Sequence, residues 1–268
     1  MMHRLSGDHC RRRCPPGWVR ARVLVFGMLA LAALCTVAGA AQSASPRILL
    51  FSKTAGYRHA SIEPAVAALT RLAEEHGVVA EATEDASVFH PGELSRFAAV
   101  VFLLTSEDVL DEAQQSAFTA YIRAGGGFVG IHSASDTEYD WPWYGRLVGA
   151  YFNGHPDGVR TGRLLVHDPR TPATSGLPSP WIRIDEWYDL RDREPGLRVL
   201  LDIDETSYKT EEESPAPEPR PIAWFHELDG GQAFYTALGH SAESYSEPLF
   251  LEHLWGGITM AMAAGGGA

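Results

Sequence analysis

Gly125-Gly126-Gly127-Phe128-Val129-Gly130-Ile131-His132-Ser133-Ala134-Ser135-Asp136 is the stretch from which the fold can be read. Three glycines lead into a short apolar run, Phe128 to Ile131, and a polar loop leads out of it. Lacking a Cβ, glycine lets the backbone turn tightly or approach a neighbour closely. The run predicts a buried strand that delivers His132 at its carboxyl end, where open α/β sheets place their ligand crevices. A single histidine at a strand end is commonly a satisfied structural residue. His132 stands out because Asp136 follows four residues on, and other polar residues fall at comparable strand ends.

The same grammar extends to both sides. Arg47 to Phe51 is a continuous apolar run, as expected of a strand covered on both faces, and it empties into the polar loop Ser52 to His59. Ser61 is placed to cap a helix whose apolar stripe runs Ile62, Val66, Leu69 and Leu72/Ala73, and Gly77 stops it. Val78 to Ala82 and Ala98 to Leu104 read as strands and Asp111 to Ala124 as an amphipathic helix. Strands alternating with helices of this length predict a parallel sheet with right-handed crossovers. Beyond Asp136 the pattern changes to an aromatic loop, Tyr139 to Tyr144, and then further strands at Arg160 to Val166, around Trp181 to Tyr188, and at Leu197 to Ile203. Thr210 to Pro221, with three consecutive glutamates and four prolines, reads as a solvated, mobile loop. Pro221 to Leu228 and Gln232 to Leu238 form a hairpin through Asp229-Gly230-Gly231, and a last helix begins near Glu247 and ends in Gly265-Gly266-Gly267. The expectation is one doubly wound α/β domain, mainly parallel, with an antiparallel C-terminal hairpin addition.

Residues 1–41 are expected to be a secretory signal peptide: a basic flank at Arg11 to Arg22, an uncharged run from Val23 and small residues at an A-x-A spacing before Ala41. A retained membrane anchor, lipidation at Cys35 and twin-arginine export at Arg11-Arg12 fit less well, because the run closes on small residues, Leu34 is large and the arginine flanks do not match. Removal of the leader takes Cys10, Cys14 and Cys35 with it, so no disulfide and no thiol nucleophile remains. It leaves 16 Lys+Arg against 33 Asp+Glu, a formal charge of −17 against −12 for the full chain. Such a surface repels phosphate backbones and anionic lipid, so neither nucleic acid nor membrane is expected as a partner. A neutral or cationic small molecule is.

Four loops carry histidine: His59 after Arg58, His132, His155 and His240. His59, His132 and His240 follow strands and would meet at one rim of a doubly wound sheet. Histidine serves proton transfer and metal ligation equally well. No helix-spaced pair such as His-Glu-x-x-His is present, so a metal is not signalled locally, and the cofactor stays open, with a divalent ion such as zinc as the candidate. Asp185 and Glu186 sit together on a strand-like segment, where neighbouring side chains point to opposite faces, so only one enters a given pocket. Glu186 is the choice, because Trp181 and Tyr188 would desolvate it and raise its pKa, and the alternative is a surface carboxylate on an edge strand. Asp136 is near enough to orient the His132 imidazole by accepting from one ring nitrogen. Trp141 and Trp143, beside Pro142 in a loop, are the tryptophans expected to face a ligand; core packing is the alternative for any one of them.

Lys53-Thr54, Gly56-Tyr57-Arg58-His59, Gly125 to Asp136, Trp143-Tyr144, Gly154-His155-Pro156, Asp185 to Tyr188 and Leu238-Gly239-His240 together resemble the ThuA-like (trehalose utilisation) family, in order from about Arg47 to Met262. The resemblance implies a domain over residues 46–264 with a flavodoxin-like fold related to class I glutamine amidotransferases. It also implies the handling of trehalose or similar glycosides, or of their 3-keto forms supplied by a partner dehydrogenase. The amidotransferase relatives carry a nucleophilic cysteine about where His132 stands, so thioester amidotransfer is excluded here on chemical grounds. The expected catalytic set is His132, Glu186, Asp136 and His240, and the expected substrate contacts are Tyr57, Arg58, His59, Trp143, Tyr144, His155 and Tyr188. The chain reads as an exported protein that cleaves or isomerises a carbohydrate by acid–base chemistry, metal-assisted or not; the alternative is a non-catalytic sugar-binding module.

Overall fold

Four short apolar strands form the heart of the molecule, and their side chains are buried on both faces, as Leu49 to Phe51, Ala99 to Leu104 and Phe128 to Ile131 demonstrate, while a fifth, Val79–Thr83, lies at the exposed edge. The structure, a computed structural model, describes residues 44–263. The expected leader, its three cysteines and the terminal glycines lie outside the described residues. Along the chain the elements are β1 (Arg47–Phe51), α1 (Ile62–Glu75), β2 (Val79–Thr83), α2 (Pro91–Leu94), β3 (Ala99–Leu103), α3 (Glu112–Arg123), β4 (Gly127–Ile131) and α4 (Pro142–Val148). They continue with β5 (Tyr151–Gly154), β6 (Arg160–Val166), β7 (Trp181–Asp185), β8 (Asp189–Arg191), β9 (Arg198–Asp204), β10 (Arg220–Leu228), β11 (Gly231–Thr236) and α5 (Pro248–Met262).

Nine strands make one sheet in the order β2-β1-β3-β4-β11-β10-β9-β6-β7, while β5 and β8 pair separately. From β2 to β11 all neighbours are parallel, the 2-1-3-4-5 order of a flavodoxin-like fold with β11 as the fifth strand. The hairpin supplies β11 to this parallel block and turns β10 antiparallel beside it. The antiparallel part is wider than the hairpin alone, since β9, β6 and β7 continue it. Each antiparallel step reverses direction, so β7 again runs the same way as β11. The carboxyl ends of β1, β4, β11 and β7 therefore share one rim.

Two local expectations change. Ser61 has helical dihedrals and its buried hydroxyl finds no partner among the described residues, so α1 starts without a side-chain cap. The cap expected in that role is found instead at α3, where Asp111 and Gln114 form a reciprocal capping box. Residues 210–221 are tied down rather than free: Glu213 pairs with Arg160 at 2.8 Å and the Ala216 N–H donates to Glu205 at 2.7 Å. Among the described residues no helix is long and apolar enough to cross a membrane.

Candidate functional site

At the end of β4 the chain turns sharply into a single 3-10 turn, residues 132–135, with His132 at φ +52°. An L-residue seldom adopts this left-handed conformation, and a strand-to-helix elbow of this kind lifts one side chain above the sheet edge. The elbow needs small flanking residues. A Cβ at Gly130 would lie 3.2 Å from the Ala134 Cβ and 3.0 Å from the Tyr235 ring. Two buried tyrosines pin the turn: Tyr235 donates to the His132 carbonyl at 2.9 Å, and Tyr144 to the Ala134 carbonyl at 2.7 Å.

The β4–β11 register, which sets Ile131 opposite Thr236, brings Ala237 beside His132. His132 Nδ1 donates to the Ala237 carbonyl at 2.7 Å, which assigns the proton to that nitrogen and turns Nε2 toward the rim. Tyr188 stacks on the imidazole, with ring centroids 4.2 Å apart. The side chain is fully buried.

Glu186 arrives from the far end of the sheet. Asp185, the last residue of β7, accepts from the backbone N–H groups of Gly239 at 3.0 Å and His240 at 3.1 Å, both beyond β11. Three strands separate β7 from β11 in the sheet, so these bonds mean that its antiparallel half curls back over the rim. Asp185 also takes Arg183 Nη2 at 3.1 Å and the Glu186 N–H at 3.0 Å. With Asp185 turned into this backbone nest, Glu186 faces the histidines. Its Oε2 lies 3.1 Å from His240 Nδ1 and 3.4 Å from His132 Nε2, and its Oε1 lies 3.4 Å from His155 Nδ1. His132 Nε2 and His240 Nδ1 are 3.3 Å apart. His59 closes the group edge-on to His132, and one donor atom each from His59, His132, Glu186 and His240 lies within 4.8 Å of all the others. Among the described residues, these four form the group able to hold a metal ion.

The electrostatics differ from the sequence expectation at Glu186. Burial would raise its carboxyl, but the imidazoles of His132 and His240 outweigh burial and hold it well below the usual carboxylate range. His240 is raised in turn, first by its hydrogen bond to Glu186, against the opposing effect of burial. His59 goes the other way: burial, reinforced by His132 and His240, pushes it down to about 3. The cluster therefore combines an ionised carboxylate, an imidazole favouring its proton and an imidazole refusing one.

His59, His132, His155, Glu186, Tyr188 and His240 are brought together, and six other expected residues are not, among them Trp141, which is partly buried and stacks on Trp143 and Tyr144. Asp136 does not orient His132; Tyr139 donates to its carboxylate, and the Ala237 carbonyl takes the orienting role. Arg58 turns outward to Glu63 and Glu84, at 2.7 and 2.9 Å, and lines a cavity with Ser52 and Ile62 that contains no histidine. Tyr57 stays at the rim, 65% exposed and edge-on to His59 at 4.7 Å, without reaching the donor atoms. Trp143 and Tyr144 are buried because Pro142 is the first residue of α4, not part of a loop. Trp143 donates to Asp229 in the hairpin turn, at the opposite rim of the sheet, while Tyr144 packs on Phe102 and Phe128 beneath the elbow. Asp185 and the Ala237 carbonyl are the contributors not foreseen as site residues. A backbone carbonyl has no side-chain signature, and the partners of Asp185 lie 54 and 55 residues away in sequence.

A family model described as ThuA, trehalose utilisation, matches residues 47–261. The chain belongs to the ThuA family. Among solved structures this ThuA chain is similar to a ThuA-like protein from Bacteroides uniformis ATCC 8492, with a TM-score of 0.68 and 20% identity over 81% of this chain and 92% of that one. A ThuA-like protein from Parabacteroides merdae ATCC 43184 gives 0.62 and 21% identity over 82% and 91%. A cold-adapted beta-galactosidase from Rahnella sp. R3 gives 0.51 and 15% identity over 82% of this chain and 31% of that one. At these identities the likeness concerns the fold. No sequence among the curated proteins matches significantly.

Proposed function

We propose that this ThuA protein is an exported enzyme that cleaves or isomerises a trehalose-like glycoside, in its 3-keto form, by acid–base chemistry at the His59–His132–Glu186–His240 cluster. The observation that carries the reading is the convergence of one carboxylate and three imidazoles within 4.8 Å at the rim, drawn from four separate strand ends. Neighbouring groups whose pKa values are pushed apart are the usual signature of paired acid and base roles, and Glu186 and His240 are such a pair. Sugars are neutral, which suits the acidic charge of the chain, and the exposed Tyr57, at the rim beside His59, offers a ring face of the kind that packs on C–H surfaces.

The keto form is preferred for a chemical reason. Direct glycoside hydrolysis ordinarily uses two carboxylates flanking the scissile bond. This cluster offers one, because Asp185 is occupied by backbone N–H groups and Arg183. A ketone at C3 acidifies the proton on C2, so one base can remove it, and the C1 oxygen then leaves with a proton from one acid. An oxidising partner, a dehydrogenase, would supply that substrate. The test is to incubate the purified protein with a panel of glycosides and matching 3-keto-glycosides. Turnover of a keto form is expected, and Glu186→Gln or His132→Ala should lower it by at least about a hundredfold in folded protein. A wild-type protein that binds the sugars but converts none of them, and a His132→Gln variant that binds equally well, would make it a binding module instead.

A further inference from the structure

The geometry points to a divalent transition-metal site of the zinc class built from His132 Nε2, His240 Nδ1 and Glu186 Oε2, with His59 as the fourth donor. The three atoms form a triangle with edges of 3.3, 3.4 and 3.1 Å. Ligands held 2.0–2.1 Å from a tetrahedral zinc ion lie about 3.3–3.4 Å from one another. The triangle is thus one face of a zinc-sized tetrahedron.

Proton counting leads to the same place. His132 spends its Nδ1 proton on the Ala237 carbonyl, so a neutral ring presents a bare lone pair at Nε2. That lone pair faces a carboxylate oxygen at 3.4 Å and a second ring nitrogen at 3.3 Å. Protons alone satisfy this badly. If both rings donate to Glu186 Oε2, His132 becomes a buried imidazolium and two N–H groups crowd each other across 3.3 Å. If only His240 donates, to Glu186 Oε2, the bare Nε2 of His132 still faces that carboxylate oxygen at 3.4 Å; if neither donates, three lone-pair atoms face one another. A single dication at the centre satisfies all three at once.

The surroundings are those of a ligand shell. The imidazole of His132 is oriented by a backbone carbonyl, the His240 backbone is held by Asp185, and the second oxygen of Glu186 lies 3.4 Å from His155. His59, His132 and Glu186 are buried, whereas a quarter of the His240 side chain is exposed, which opens one side of the cluster to a water or a substrate. Imidazole with a single carboxylate suits zinc and its first-row neighbours rather than magnesium or calcium, which prefer oxygen throughout. The inference rests on the reading of this cluster as the reacting centre. It refines that reading: Glu186 and His240 would hold the ion, and the ion would supply Lewis-acid chemistry at the rim, lowering the pKa of a water there toward about 7.

The test uses the purified full-length product and a readout separate from turnover. Elemental analysis after dialysis should find about one zinc-class ion per chain. Stripping with a chelator should lower the Tm, zinc alone should restore it, and cobalt should give the visible ligand-field bands of a tetrahedral site. Glu186→Gln and His240→Gln should each weaken zinc binding by at least about tenfold in a chelator competition, and the partly exposed His240 keeps the test available if Glu186→Gln fails to fold. His76→Gln, outside the cluster, should change nothing. Sub-stoichiometric metal, no Tm response to zinc and full activity in chelator would overturn the metal site while leaving the acid–base reading intact. Tight, cluster-dependent zinc with no turnover of any sugar would do the reverse.

Discussion

Asp185 exerts more control over the site than its distance from the chemistry suggests. Its carboxylate is fully buried and accepts from four donors: Arg183 Nη2 and the N–H groups of Glu186, Gly239 and His240. Those contacts fix the two arms that carry Glu186 and His240. Arg183 is itself buried, stacked on Trp181 and Phe250, and depends on Asp185 together with Glu247 for its charge balance. Asp185→Asn keeps the shape but replaces one acceptor oxygen with a donor that faces other donors, and it removes half of the compensation for Arg183. Breaking a buried pair from one side typically costs 3–5 kcal/mol, and the remaining Glu247 contact argues for the lower end, about 3 kcal/mol. Urea unfolding should register that loss; an unchanged midpoint would mean that Asp185 is not the anchor described. Residues of this kind show where sequence reading stops. His59, His132 and His240 were legible because a buried strand followed by a polar loop predicts a rim position. Glu186 was legible as the member of its pair that enters the site, but not in its low pKa, which depends on rings contributed by β4 and β11. The exposed Arg58 and the buried Trp143 went astray because neither an ion pair across to Glu84 nor the start of a helix at Pro142 is visible in local polarity.

The helix α5 shows the same limit for whole elements. It packs across β11 and against the loop at Pro172 and Ala173, and its two adjacent glycines allow the approach. A Cβ at Gly256 would lie 2.1 Å from the Pro172 carbonyl oxygen and 2.4 Å from the Ala173 Cα, and one at Gly257 would lie 2.3 Å from the Phe234 ring. Two effects oppose each other in Gly256→Ala. Helix propensity favours alanine by about 1 kcal/mol. Overpacking against backbone, which has no rotamer to yield, costs about 1–3 kcal/mol and here begins from an impossible contact. The clash should win, giving a variant less stable by about 1–2 kcal/mol in urea or thermal melts; a stabilised variant would show that the loop moves freely. The central strands β1, β3 and β4 were readable because burial on both faces leaves continuous apolar runs. The widened antiparallel half was not readable as one sheet with them, since the order of β6, β7 and β9 depends on pairings between distant segments and on the curl over the rim. The helix α4 was hidden for a different reason: Pro142 breaks a helix in its interior but starts one at its first position.

At the scale of the whole molecule, the sheet is sealed by buried histidines that must stay neutral, and this makes stability depend on pH. His253 on α5 is fully buried; its Nδ1 donates to the Ala173 carbonyl at 2.7 Å and its Nε2 accepts from Thr236 at 3.1 Å. Burial pushes its pKa down to about 4, opposed only in part by the Ala173 bond and assisted by Arg183. His59 is held down as well, to about 3. A proton on His253 would also set two N–H groups where one acceptor and one donor stand. Unfolded, each imidazole titrates near 6.5, so between about pH 4.5 and 6.5 the unfolded chain binds protons that the folded chain does not. Stability therefore rises with pH across that window and falls as pH drops through it, by at most about 1.4 kcal/mol per unit for each such histidine. Carboxylates held low in the fold, such as Glu213 at about 2, run in the same sense but draw on pH below their unfolded values near 4.5, whereas Asp136 and Glu138, raised by burial, and His240, raised by Glu186, run the other way, so His253 is isolated by comparing the chain with a variant that lacks it. His253→Gln supplies a donor for Ala173 and an acceptor for Thr236 without a titrating proton. Urea unfolding with chelator present, at half-unit steps from pH 4.5 to 6.5, should show the variant's slope shallower than the wild type's by about 1 kcal/mol per unit, averaged over the window. Parallel slopes would mean that His253 is already charged in the fold, and that the seal between α5 and β11 is ionic rather than neutral.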